Sequence, residues 1–189
     1  MPHALVLQFP SAEALPSALL SRLPEPDYAD EKRMRFIVEE GFSLSEADAA
    51  LLSSRQIDHA VLLDMAFGEL GLIVSDMDST LITIECVDEI AAGVGLKDRV
   101  AEITERSMRG ELDFEQSLRS RVALLAGLDE RVLADVYENV LRLSLGAEFL
   151  LDECKAHGVK FMLVSGGFTF FTERLQQRLG FEYQYANVL

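Results

Sequence analysis

Cysteine, histidine and positive charge are all scarce in this chain, and each scarcity removes a class of function. The two cysteines, Cys86 and Cys154, form no C-x-x-C pair and are too few for a disulfide framework, which points to a reducing compartment, the cytosol. His3, His59 and His157 lie far apart with no i, i+4 pair, so a zinc cluster is not expected. Lys and Arg number 17 against 32 Asp and Glu, a formal charge of −15. That field repels polyphosphate backbones and argues against a nucleic-acid partner. A small anionic substrate would need a local cation, from a bound metal or a placed Arg. No uninterrupted apolar run approaches the roughly 18 residues of a membrane span. The opening MPHALVLQFP has no basic segment and is closed early by Pro10, so neither a membrane partner nor a signal peptide is expected. No pattern in the chain specifies an oligomeric state.

What is present suffices for a buried core. The chain has 189 residues, 49% of them apolar, enough for one core with a small appendage. Residues 1–70 read as that appendage, an N-terminal accessory domain. An alternating start (Ala4, Val6, Gln8) is followed by a Pro-punctuated stretch from Pro10 to Pro26, and then by helix-like spacing of charge and apolar residues. Ser-Glu-Ala-Asp at Ser45 opens at least one helix in the stretch to Leu63. No chemistry is visible there.

From residue 71 to 189 the pattern is that of an α/β core. Leu72-Ile73-Val74 is a short apolar run of the kind buried on both faces of a parallel sheet, and Val159 to Val164 is a second, ending in Ser165-Gly166-Gly167. A helix-like segment ends at Gly158, and another runs from Thr169 to Gly180. The alternation implies a Rossmann-like parallel sheet, in which ligands bind beyond the carboxyl ends of strands. Between the two strands lies far more chain than a crossover needs. Its spacing predicts four helices over about 84–145, forming an inserted helical-bundle cap. One carries Cys86, Val87, Ile90 and Ala91, and one carries Val100 and Ile103. A third opens on an Asp113/Gln116 capping box with Phe114, Leu118, Val122 and Leu125 on one face, and a fourth runs from Asp129 to about Leu143. Such a cap can close over a small substrate.

Asp76 and Asp78 follow the first strand and, two apart in extended backbone, would project in the same general direction. Asp76 suits a nucleophile that forms a phosphoaspartyl intermediate, and Asp78 an acid that protonates the leaving alkoxide and then a base toward water. Their mutual repulsion raises one pKa. A bound Mg²⁺, held by Asp76 and Asp78, would offset that repulsion and neutralise an incoming phosphate. The Ser165 hydroxyl and Gly166 amide are placed to hold a phosphate oxygen. The bland alternatives are an acidic turn at a strand end and a glycine loop.

Asp76-Met77-Asp78-Ser79-Thr80 and Ser165-Gly166-Gly167 resemble the first and second motifs of the haloacid dehalogenase superfamily. Three further segments narrow the resemblance to bacterial-type phosphoserine phosphatases: Glu85-Cys86-Val87-Asp88-Glu89-Ile90-Ala91, Ser107-Met108-Arg109-Gly110, and Phe114 to Val122. The resemblance implies Mg²⁺-dependent hydrolysis of O-phospho-L-serine in L-serine biosynthesis. It implies that Glu85 binds the substrate's amino group and Arg121 its carboxylate, with Met108 and Phe114 as apolar pocket walls. Arg121 falls on or beside the apolar face of its helix, where a bidentate carboxylate partner, or an ion pair with a cap glutamate, would account for it.

After Ser165 the chain contains neither Lys nor Asp. The third-motif lysine and fourth-motif aspartates of the resembled family would fall beyond Leu189, so the resemblance implies a C-terminally incomplete core. Lys160 lies within its strand and does not substitute for that lysine. Two alternative readings stay open: a phosphatase or phosphotransferase for another small phosphomonoester, and a catalytically impaired fragment serving as a binding or regulatory module.

Overall fold

A computed structural model describes residues 2–189. They form two compact units, one ending at Ala66 and one spanning Phe67–Leu189.

The first unit is a four-stranded antiparallel sheet of β1 (His3–Gln8), β2 (Tyr28–Ala29), β3 (Arg33–Val38) and β4 (Asp58–Leu63), in the order β2-β3-β1-β4. A short helix α1 (Ser17–Leu20) and the longer α2 (Glu46–Ser54) complete it. Leu5 pairs with Phe36 and Val61 across the sheet. Leu5, Leu7, Phe36, Leu52 and Ile57 are buried together. Ser45 caps α2 by accepting the Asp48 amide at 3.1 Å, as Ser-Glu-Ala-Asp predicts. Two expectations fail here. The helix does not reach Leu63: it stops at Ser54, Gln56 turns the chain with φ +57°, and β4 follows. The helix-like spacing after Pro26 resolves instead into β3, because Met34, Phe36 and Val38 face the core alternately and cross-strand pairing outweighs helical propensity.

The second unit has a three-stranded parallel sheet, β5 (Leu72–Ser75), β6 (Lys160–Phe168) and β7 (Tyr183–Asn187), in the order β5-β6-β7. Its cap helices are α3 (Cys86–Gly93), α4 (Lys97–Met108), α5 (Phe114–Ala123) and the short α6 (Arg131–Asp135); α7 (Ala147–His157) and α8 (Thr169–Leu179) flank the sheet. The central β6 sends Phe161 and Leu163 into a core with Phe168, Phe171, Leu175 and Phe181. α7 ends at Gly158 and α8 at Gly180, both left-handed, the conformation that lets a helix stop and turn into a strand.

The expectation that both strands are buried on both faces is corrected. β5 is an edge strand, and Leu72, Val74, Val164, Tyr183 and Tyr185 are exposed. Register places Val74 opposite Met162, Met162 opposite Tyr183 and Val164 opposite Tyr185, so these side chains share one uncovered face. Both flanking helices pack on the other. The fourth cap helix is also shorter than its pattern: after α6 the chain widens into a π-type turn, Val136–Val140, and leaves helical geometry at Leu141.

The cap departs from and returns to the core at one point. Ile82 bridges Leu143 in antiparallel fashion, Thr83 N donates to Arg142 O at 2.9 Å and Ser144 N to Leu81 O at 3.0 Å. Among the described residues no helix is long and apolar enough to cross a membrane.

Candidate active site

The parallel register decides which loops meet. Ser75, the last residue of β5, sits opposite Leu163 of β6, so Asp76 and Asp78 leave one strand where Ser165 and Gly166 follow on the next. Extended backbone at Asp76 (φ −75°, ψ 165°) and Asp78 (φ −65°, ψ 135°) keeps the two carboxylates two apart in an extended segment. The intervening Met77 is driven into the core with no exposure. Asp76 accepts from the Met77 amide at 2.6 Å and is otherwise open to solvent.

Asp78 is partly buried. Its Oδ2 accepts from the Cys86 amide at 3.3 Å, and its Oδ1 is buried with no hydrogen-bond partner. Burial raises its pKa to about 6; the Cys86 thiol and amide pull it down, while the Glu85 and Asp76 charges push it up. The carboxyl expected to carry a proton is therefore the more enclosed of the two. Cys86 is a fully buried, packed thiol whose pKa is driven far upward by burial and by Asp78, so it is not a nucleophile at neutral pH.

At the facing strand the Ser-Gly-Gly segment lies inside β6, which continues to Phe168 with a shift of register between Val164 and Phe168. The expected end of the strand at Val164 is thereby corrected to an irregularity within it. Ser165 Oγ accepts from the Gly167 amide at 2.9 Å. A Cβ on Gly167 would lie 2.9 Å from Met77 Cε and 3.1 Å from Ser165 Oγ, so a larger residue would make those side chains shift where the two strand ends approach. A Cβ on Gly166 would meet the Phe114 ring at 3.2 Å, which brings the first residue of α5 onto the glycine loop.

The cap supplies the charged pair. Glu85, the residue before α3, hydrogen-bonds through Oε1 to the Ser79 hydroxyl at 2.7 Å. Arg121 lies near the end of α5, and its Nε is buried with no hydrogen-bond partner; no ion pair with a cap glutamate forms among the described residues. Asp88 feels both charges: its pKa is raised by burial first and by the Glu85 charge, and lowered by Arg121. Glu85 and Arg121 thus share one electrostatic neighbourhood. Met108 and Phe114 are 84% and 66% exposed, so neither is core. The expected face of α5 is kept in part: Phe114, Leu118 and Val122 line one concavity, with Phe114 at its edge against the glycine loop. A concavity of about 550 Å³ lined by Phe114, Leu118, Phe168 and Asn187 adjoins that contact. Lys160, at the far end of β6, pairs with Glu182 at 3.1 Å, away from the aspartates.

Two participants had no sequence signal. Asn187 Nδ2 donates to Gly166 O at 2.9 Å, holding the glycine loop from β7. Ser79 adopts φ +51°, rare for a side chain with a Cβ. A lone Asn after aromatic residues and a Ser inside an acidic turn look ordinary until the partners are in place. Among the described residues no three His, Cys, Asp or Glu side chains converge as a metal cluster. The solvent-open Asp76 carboxylate and the backbone carbonyl of Asp78 are nevertheless oxygen donors that suit a hard cation completing its shell with water and phosphate.

A parallel sheet with paired aspartates at one strand end, a serine-glycine loop at the next and a helical insert between them defines the class, and the chain belongs to the haloacid dehalogenase-like hydrolase family, whose model matches residues 73–189. It is 54% identical over 127 residues to a phosphoserine phosphatase of Polaromonas sp., covering 67% of this chain and 54% of that protein. It is 44% identical over 147 residues to a phosphoserine phosphatase of Vibrio cholerae, covering 77% and 44%. The chain thus spans about half the length of these relatives. Among solved structures, a haloacid dehalogenase family hydrolase from Salmonella enterica serovar Typhi superposes with TM-score 0.86 at 27% identity, covering 100% of this chain and 68% of that one. A substrate-bound phosphoserine phosphatase complex superposes with TM-score 0.58 at 38% identity, over 64% and 57% of the two chains.

Proposed function

We propose that this chain belongs to a Mg²⁺-dependent phosphatase that hydrolyses O-phospho-L-serine to L-serine and phosphate, the closing reaction of L-serine biosynthesis. One observation carries the substrate: Arg121 holds a buried guanidinium nitrogen with no partner, in the same neighbourhood as Glu85. A buried guanidinium nitrogen without a hydrogen-bond partner is costly, and an anion satisfies it. A zwitterionic amino acid meets both groups, its carboxylate on Arg121 and its ammonium on Glu85.

The chemistry is assigned to Asp76 and Asp78. An Asp76 oxygen attacks phosphorus, the ester P–O bond breaks, and the leaving serine oxygen takes the proton of Asp78. Asp78, now a carboxylate, removes a proton from the water that attacks the phosphoaspartyl phosphorus, releasing phosphate and restoring Asp76. The Asp78 pKa near 6 suits both directions. Ser165 and the Gly166 amide would orient phosphate oxygens. Mg²⁺, held by the Asp76 carboxylate and the backbone carbonyl of Asp78, would supply positive charge against the phosphate. The free, buried Cys86 and Cys154 fit a cytosolic setting.

The test compares phosphoserine with phosphoethanolamine, which lacks the carboxylate, in the full-length protein with Mg²⁺. Wild type should prefer phosphoserine, and Arg121→Ala should erase the preference by at least about thirtyfold through KM. A wild type indifferent to the carboxylate overturns the reading.

A further inference from the structure

We propose that Ser79 is a positioning residue for Glu85, and through it sets selectivity for a substrate bearing an amino group. The inference rests on the phosphoserine reading above and deepens it.

Glu85 is an exposed side chain just before α3. A long side chain so placed samples several rotamers unless a bond holds it. No cap hydrogen bond holds it, since its side chain accepts nothing from the helix amides. Among the described residues the one hydrogen bond that restrains its side chain is the 2.7 Å bond donated by Ser79 to Oε1. That bond leaves Oε2 free to receive an ammonium.

The backbone is bent to make the bond. Ser79 sits at φ +51°, ψ 15°, the left-handed region that residues with a Cβ seldom adopt. The conformation is stabilised by Ser79 N donating to Ile84 O at 3.1 Å, while Cys86 N binds Asp78 Oδ2 at 3.3 Å. The loop from Asp78 to Cys86 is thereby closed on itself, with the Ser79 hydroxyl aimed at Glu85. A residue here chosen only for backbone shape would be glycine or asparagine. Serine adds a hydroxyl donor, which in this geometry tethers the substrate-facing carboxylate.

The test measures steady-state kinetics of the full-length protein on phosphoserine and on 3-phosphooxypropanoate, the same molecule without its amino group. Wild type should prefer phosphoserine. Ser79→Ala and Ser79→Gly should each lower kcat/KM for phosphoserine about tenfold, mainly through KM, and leave the des-amino analogue within about twofold. The glycine variant separates the hydroxyl from backbone strain, because glycine accepts φ +51° freely. Equal losses on both substrates, no loss on either, or recovery by Ser79→Gly of what Ser79→Ala loses would each overturn the role of the hydroxyl while leaving the substrate reading intact. A wild type with no preference for the amino group would instead overturn the substrate reading, and this inference with it.

Discussion

Asp76 and Asp78 are chemically identical side chains separated by one buried methionine, and their surroundings differ in the way the proposed roles require. Asp76 faces water and keeps a lone pair available for attack; the full-length protein carrying Asp76→Asn should lose phosphoserine hydrolysis, and normal turnover by that variant would sink the nucleophile assignment. Asp78 has an ordinary pKa near 3.8 and about 6 in the fold. The folded state therefore binds its proton more tightly than the unfolded chain does. Its contribution to stability is fully present below about 3.8 and is lost as pH rises through about 6. In chelator, with no bound cation to offset the charge, this group should cost about 1 kcal/mol of stability between pH 5 and pH 8, after allowance for partial solvent access. Urea unfolding at the two pH values measures it, and Asp78→Asn should remove that share of the difference. The sequence singles out the two aspartates by the apolar strand before them and Ser165 by the glycines after it, while Glu85 and Arg121 are singled out by the family resemblance. Asn187 and Ser79 are not singled out, since their roles come from a partner chosen by tertiary structure.

Elements were read best where their ends are written locally. Asp113 accepts the Gln116 amide at 2.8 Å and Gln116 Oε1 accepts the Asp113 amide at 3.1 Å, the reciprocal cap that the sequence announces. Since α5 carries Arg121, the cap also bears on the site. Asp113→Ala should destabilise the protein by about 1 kcal/mol in urea unfolding and raise KM for phosphoserine more than it lowers kcat. Gly158 and Gly180 likewise mark helix ends that the sequence predicts. The failures have one cause. β3, β4 and the continuation of β6 through Ser165-Gly166-Gly167 depend on pairing with strands distant in the chain, and such pairing leaves little trace in local spacing. The π-type turn at Val136–Val140 defeats a 3.6-residue period for the same reason, since its pattern still reads as helix.

At the scale of the molecule, Leu72, Val74, Val164, Tyr183 and Tyr185 form an apolar sheet face that no helix among the described residues covers. Surfaces of this kind attract hydrophobic partners and dyes. The 189-residue chain should bind an environment-sensitive dye such as ANS, and the double variant Val74→Lys, Tyr185→Lys should lower that fluorescence severalfold with little change in melting temperature. The same chain offers no Lys or Asp after Ser165, so a phosphate at Asp76 would meet few cations from the protein.

The bridge between Ile82 and Leu143 has a consequence of a different kind. Both ends of the cap are knotted at a single two-stranded neck, so everything from Thr83 to Arg142 hangs from the core as a closed pendant. The entropy of closing such a pendant grows only with the logarithm of its length. A longer or shorter insert tied at the same neck would thus cost little extra closure entropy, provided it still supplied the side chains that Cys86, Ile90 and Val100 bury against Phe161 and Leu163. The neck therefore fixes where the insert meets the strand ends, whatever its length.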